Sequence, residues 1–186
     1  MAVTLDKKTL FVTRTAVFTA LLVVLQFAAA QLGNQFITGS VVNLVLIMSG
    51  TLCGFASGAV VAAIAPVFVR LLGVGLPFWP LVPFIALGNT VLVAVWCAAE
   101  RLGERARNAR FIVVARVAAL PVAAVLKTAA LYAGVVLFAA PVLLGLRSPQ
   151  LDAVTLAYSW PQIVTAGIAG AIAVALLPLF KRTLKK

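Results

Sequence analysis

The sequence predicts an all-α integral membrane protein with six transmembrane helices, and three observations support this fold class. Hydrophobic residues make up 64% of the 186 residues and charged residues only 10%, a balance typical of membrane proteins rather than soluble domains. The apolar residues form runs that can cross a hydrocarbon core of roughly 30 Å. The basic residues cluster at the ends of these runs. We therefore expect one membrane domain, 1–186.

The six spans follow from the positions of the apolar runs. The first run comes after Lys7, Lys8 and Arg14, and it is too long, without a clear cleavage site, to be a signal peptide. The second run is short, and glycines recur at every fourth position from Gly50 to Gly58 in its turn into the third, which favours close helix packing. The predicted spans are 10–30, 41–51, 54–72, 81–99, 111–140 and 159–180.

The distribution of Lys and Arg orients these spans. Basic clusters precede the first span, follow the fourth and follow the sixth, so all three lie on one side when six spans alternate. The positive-inside rule then places both termini in the cytoplasm. The connections 31–40, 73–80 and 141–158 are expected outside. Loops of this kind often bind or gate, although plain surface connections are an equally good reading of them.

Lys127 is the most unusual residue of the sequence because it lies near the middle of the long fifth span. A cation there costs at least ~2.5–3.5 kcal/mol and marks a functional site by default. The chain has four acidic residues, and none falls inside a predicted span. We therefore expect Lys127 to face a cavity and a bound anion to neutralise it. A lysine bonded to carbonyls, or deprotonated by burial, is the structural alternative.

Four amides also fall in predicted spans, and each must find a hydrogen-bond partner on another helix or on a ligand. Asn43, Asn89 and Gln162 lie toward the outer halves of their spans, whereas Gln26 lies in the first span. Their positions predict a pocket that opens to the outside. For each single amide, a contact between two helices is an equally good explanation.

Several function classes lack the residues that they need. The net charge of +11 indicates basic residues that orient the protein in the membrane and contact lipid headgroups, rather than a nucleic-acid-binding surface. For Arg116 we likewise expect contact with headgroups or a partner. There is no histidine, and the two cysteines lack metal-ligand spacing, so no metal and no cofactor is expected. No P-loop and no catalytic set is present, so the chain is not expected to be an enzyme.

The order and spacing of four short segments make the chain resemble a known family, the substrate-binding S components of energy-coupling factor (ECF) transporters. The resemblance covers nearly the whole chain. The segments are 13–30, with Ala16 and Ala20 one helical turn apart, 37–43 (ITGSVVN), 83–89 (PFIALGN) and 159–162 (SWPQ).

This resemblance implies a small protein of a prokaryotic plasma membrane that captures a vitamin or related micronutrient with high affinity. It implies docking on a transmembrane coupling protein and two ATPase subunits, with Ala16 and Ala20 in contact with the coupling protein. The ligand is expected to contact the outer loops and the outward halves of the later helices. Together with the amides above, the expected ligand-binding residues are Asn43, Trp79, Asn89, Lys127, Trp160 and Gln162.

The charge of Lys127 favours a ligand with a carboxylate or other anionic group, comparable to pantothenate, lipoate or biotin. The absence of His and of an acid within the spans argues against cobalt, nickel and cationic ligands. A stand-alone secondary transporter or channel for a small anionic solute is the alternative. Such proteins usually contain inverted repeats, and the sequence shows no convincing internal repeat.

Overall fold

The computed structural model describes residues 6–106 and 108–183. Every regular element within these ranges is helical, which confirms the all-α class. The helix α5 continues without a break into a π-helical segment, and a short 3₁₀ turn precedes α4. The elements are α1 Lys7–Ala30, α2 Gln35–Cys53, α3 Phe55–Leu71, the 3₁₀ turn Trp79–Leu81, α4 Val82–Arg105, α5 Ala109–Leu131, the π-helical segment Tyr132–Leu143, α6 Gln150–Ala157 and α7 Trp160–Thr183.

The helices identify a multi-pass membrane protein. Five helical segments are long and apolar enough to cross a membrane, and α3 is a shorter apolar helix of 17 residues, about 25 Å in length at 1.5 Å per residue. Six apolar helices therefore correspond to the six predicted spans. The cytoplasmic position of the termini stays a prediction.

Helix α2 lies at the centre of the bundle, in contact with α1, α3, α4 and α7. Its segment 45–50 is buried throughout, as expected for a helix surrounded by other helices. Helix α1 lies at the periphery, and only Thr15, Leu22 and Ala29 of its residues are buried. The consecutive helices run up and down, so the α1–α2, α3–α4, α5–α6 and α6–α7 connections gather at one end of the bundle.

Two connections that the sequence predicted as loops are partly helical. Helix α2 begins at Gln35 rather than at position 41, because the Asn34 side chain accepts hydrogen bonds from the backbone N–H groups of Phe36 and Ile37 at 2.9 and 3.4 Å. Such a cap starts a helix even in polar sequence. The predicted connection 141–158 contains α6, whose Val154 is fully buried against the π-helical segment. Both additions lie at the same end of the bundle.

Helices α2 and α3 touch through two of the regularly spaced glycines. A methyl group added at Gly58 would lie 2.7 Å from the Cα of Gly50, so the two backbones are in direct contact. Gly54, which joins the helices, has a φ of 92°, a conformation that residues with a side chain rarely adopt. The regularly spaced glycines therefore allow the two helix backbones to approach closely, as small residues do between membrane helices.

Replacing Gly58 by Ala is expected to lower the stability of the protein by about 1–3 kcal/mol, because the added methyl group meets backbone atoms that cannot rotate away. The change is measured as the shift in Tm of the purified protein in detergent. Gly167→Ala is the matched control, since a methyl group there meets nothing within 4 Å. Equal Tm values for the two variants would contradict the close contact.

Candidate functional site

A cavity of about 460 Å³ lies at the end of the bundle where α6 and the cap of α2 are found. Residues from α1 to α7 line it, together with the connections 31–34 and 72–78. Its volume is within the range of small-molecule sites, which is about 300–1,000 Å³. Most of its wall is apolar, with amide side chains and one cation. This composition is typical of a site for a small organic molecule.

The one basic residue of the wall is Lys127, which lines the cavity and is only 3% exposed. It lies close to the middle of the apolar segment Arg110–Leu143. Its Nζ donates a hydrogen bond to Asn43 Oδ1, the only partner that the described residues provide. An ammonium group has three N–H donors, so two remain for a ligand or for water. No acidic residue of the described chain lines the cavity.

Asn43 holds Lys127 from the central helix. Its Nδ2 donates to Thr165 Oγ1 of α7 at 3.2 Å, and the Thr165 hydroxyl donates to the backbone carbonyl of Gln162 at 3.2 Å. Because Thr165 accepts from the amide nitrogen, the oxygen of Asn43 must point toward Lys127. Asn43 is completely buried. Three helices therefore fix the direction of one hydrogen-bond chain, which ends at the cavity cation.

Asn89 of α4 is a further polar residue of the cavity wall. Its helix α4 packs tightly on α5, because the Cα of the preceding Gly88 faces the Leu131 side chain, where an added methyl group would lie 2.6 Å from Cγ. Leu131 is one turn beyond Lys127 on the same helix face. The Asn89 side chain lines the cavity and makes no hydrogen bond within 6–106 or 108–183. Its amide is therefore available to a ligand in the cavity.

Helix α6 forms part of the cavity wall and is hydrogen-bonded to two other helices. Gln35 Nε2 of α2 and Gln162 Nε2 of α7 both donate to the backbone carbonyl of Ala157, at 2.7 and 2.9 Å. Ala153, Ala157 and the following Tyr158 all line the cavity. Helices α2 and α7 therefore hold α6 against the cavity.

The double change Gln35→Ala, Gln162→Ala is expected to loosen α6. Each amide–carbonyl bond contributes about 0.5–1.5 kcal/mol, so hydrogen exchange of the α6 amides should rise by roughly tenfold while α2 and α7 keep their protection. Hydrogen exchange with mass spectrometry measures this. Gln31→Ala is the control, because within the described part of the chain that side chain bonds only to the backbone carbonyl of Phe27, at 3.4 Å. Unchanged exchange in α6 would show that the two bonds do not hold it.

Four of the six predicted ligand-binding residues line this one cavity: Asn43, Asn89, Lys127 and Gln162. The two tryptophans do not. Trp79 is 47% exposed with Arg70 over its ring at 5.9 Å, and Trp160 is 55% exposed and packs against Phe36. Both are placed as interfacial anchors would be. Ligand contact by any of the six stays a prediction.

Sequence reasoning missed several lining residues, namely Asn34, Gln35, Tyr158 and, behind the lining, Thr165. The polar run 31–35 was a usable signal, because an Asn that precedes apolar residues often caps a helix. Thr165 lies at position i+3 from Gln162 and so faces the same side of α7. Tyr158 had no such signal, since its position depends on how α6 folds back.

Ala16 and Ala20, the predicted contacts for a coupling protein, are both exposed on α1. They lie on the peripheral helix and make no part of the cavity. Small residues on an exposed helix face permit a second helix to approach closely. A lipid-facing position is equally compatible with their exposure, so the partner contact stays a prediction.

A buried ion cluster occupies the opposite end of the bundle and corrects the expectation for Arg116. Its guanidinium makes two hydrogen bonds to Glu100 of α4, at 2.9 and 2.7 Å, and both residues are nearly inaccessible. Lys181 of α7 bridges Glu100 and Glu104. The sequence reading ended the fourth span before Glu100, whereas α4 continues to Arg105. Arg116 thus binds an acid of this chain.

The described residues contain no cluster of His, Cys, Asp or Glu that could hold a metal ion. Comparison of the chain with protein-family models, curated proteins and solved structures gave no match. The function therefore has to be inferred from the cavity and its surroundings.

Proposed function

We propose that this protein is the high-affinity substrate-binding S component of an ECF-type importer in the plasma membrane of a prokaryote. It captures a small organic micronutrient with a carboxylate or other anionic group from outside the cell. A transmembrane coupling protein and two ATPase subunits then drive its transport. In this proposal the chain itself binds the substrate and hydrolyses no ATP, in keeping with the lack of a P-loop in its sequence.

The single observation that supports substrate binding most strongly is a buried cation without a neutralising acid, facing a cavity. Lys127 has one hydrogen-bond partner among the described residues, Asn43, and it lines a space of about 460 Å³. A buried ammonium group is unfavourable unless an opposite charge compensates it. An anionic ligand supplies that charge. The attraction between the ligand and the ammonium group, which the empty site lacks, then contributes to the binding free energy.

The arrangement of charges supports capture from outside. The basic residues at the start of α1 and the ends of α4 and α7 lie at the end of the bundle opposite the cavity. If these residues face the cytoplasm, as the positive-inside rule favours, the cavity opens to the outside. An importer that binds its substrate first needs this orientation.

The exposure of α1 supports the docking of a partner. Most of this helix is uncovered, with Val12, Val17 and Val24 about 60% exposed, and Ala16 and Ala20 are small residues one turn apart on that surface. A coupling helix could lie against them at close distance. Ala16 and Ala20 do not line the cavity, so a helix docked on them would not occupy the substrate site.

Co-purification tests the proposal. The affinity-tagged chain, extracted from its own host in mild detergent, is expected to bring down one further membrane protein and two ATPases. Ala16→Trp with Ala20→Trp should abolish this recovery, while Val122→Trp, a change at an exposed position of α5, should not. Recovery of the chain alone, together with uptake by liposomes that contain only this chain, would overturn the proposal in favour of a stand-alone transporter.

A further inference from the structure

We propose that the cavity selects a ligand with a single negative charge, a monocarboxylate whose carboxylate lies between Lys127 and Asn89 and whose remainder is uncharged. This inference rests on the proposed substrate-binding function and adds the charge number of the ligand and the position of its carboxylate.

The charge number follows from the lining. Lys127 is the one basic residue, and no acidic residue stands beside it, among the described residues that form the cavity wall; the others are apolar, amide, hydroxyl or phenol groups. One carboxylate therefore leaves the site neutral. A second negative charge would be buried without a partner, which is strongly unfavourable in a low-dielectric interior. A cation would meet Lys127 with the same sign and nothing to offset it.

The carboxylate fits the available donors. Two N–H groups of Lys127 remain after the bond to Asn43. The Asn89 amide adds a further donor from α4, because its side chain lines the same cavity. A carboxylate has two oxygens that accept several hydrogen bonds, so it can use both groups together. A neutral amide in its place would leave the ammonium charge uncompensated.

The remaining wall indicates the character of the rest of the ligand. It contains apolar side chains such as Leu22, Val42 and Ile85 and the uncharged polar side chains of Gln26, Thr38 and Gln162. At the end where α6 lies, Asn34, Gln35 and Tyr158 add further polar groups. Beyond its carboxylate the ligand therefore has apolar surface together with uncharged hydrogen-bonding groups.

Three probes of equal length separate these requirements: hexanoate, hexanamide and hexanedioate, with NaCl added to equalise ionic strength. The readout is the Tm of the full chain in a non-ionic detergent. Hexanoate at ten times its Kd is expected to raise Tm by roughly 3–6 °C, and the other two probes to raise it by much less. Lys127→Met should abolish the hexanoate response, and Asn89→Asp should do the same by placing a carboxylate beside Lys127.

The outcomes are distinct. A response to hexanedioate or hexanamide as large as that to hexanoate, or no response to any probe, overturns the monocarboxylate proposal. A hexanoate response that survives in Asn89→Asp overturns the position of the carboxylate beside Asn89. None of these results bears on whether ATPases are recovered with the tagged chain, which is the test of the importer proposal. Conversely, a chain that purifies alone but prefers hexanoate would disprove the importer and leave this selectivity standing.

Discussion

Lys127→Met is expected to abolish ligand binding and at the same time to raise the Tm of the empty protein. The ligand loses its only charged partner in the described cavity wall, and truncating one partner of a buried charge pair costs about 2–5 kcal/mol, at least roughly 30-fold in Kd. The empty protein becomes more stable, because the variant lacks a charge that costs at least ~2.5–3.5 kcal/mol in the middle of the membrane. Calorimetric titration with the small molecule that co-purifies with the wild type measures the first effect, and thermal unfolding the second.

Asn43→Asp tests the role of the Lys127 charge in ligand binding while the Lys127 side chain stays in place. The substitution is nearly isosteric and places a carboxylate where the Asn43 oxygen already accepts the Lys127 hydrogen bond. The chain then supplies the counter-ion that the bound anion would supply in the wild type. We expect a folded protein with Lys127 in place and with ligand affinity lost. Wild-type affinity in either variant would show that Lys127 does not pair with the ligand.

The sequence was sufficient to predict the features that depend on local composition. Apolar runs predict membrane helices because the hydrocarbon core excludes polar backbone and charge, and the six helices follow these runs. Lys127 was identifiable because a single cation in such a run is unfavourable wherever the neighbouring helices lie. The convergence of Asn43, Asn89 and Gln162 on one cavity was also predictable, since all three lie in the same halves of alternating spans.

Features that depend on contacts between distant parts of the chain were not predictable. Asn43 and Lys127 come together only when the register of α2 against α5 is known. Trp79 and Trp160 were expected to contact the ligand because the outer loops were. Whether such a side chain lines the cavity depends on the rotation of the helix end that carries it. Arg116 found its partner through the antiparallel packing of α4 on α5, which also brings Gly103 against Ile112. Hydropathy carries no information on such registers.

Arg116→Met is expected to destabilise the protein by about 3–5 kcal/mol, because it leaves the Glu100 carboxylate buried with only part of its compensation. Glu100 is 5% exposed, so water cannot replace the two lost hydrogen bonds. Lys181 still reaches one oxygen of Glu100, which favours the lower end of this range. Reversible unfolding in mixed micelles measures the change in free energy.

Two further variants test whether burial is the cause. Glu104→Gln removes a carboxylate that is also bonded to Lys181 but is exposed, and such surface pairs contribute about 0–1 kcal/mol, so its effect should be small. The double change Glu100→Met, Arg116→Met removes both buried charges and should recover most of the stability, because two apolar side chains of similar size need no compensation. If Arg116→Met is no more harmful than Glu104→Gln, the pair is hydrated in the membrane. The end of the bundle opposite the cavity would then be open to water rather than sealed by α4, α5 and α7.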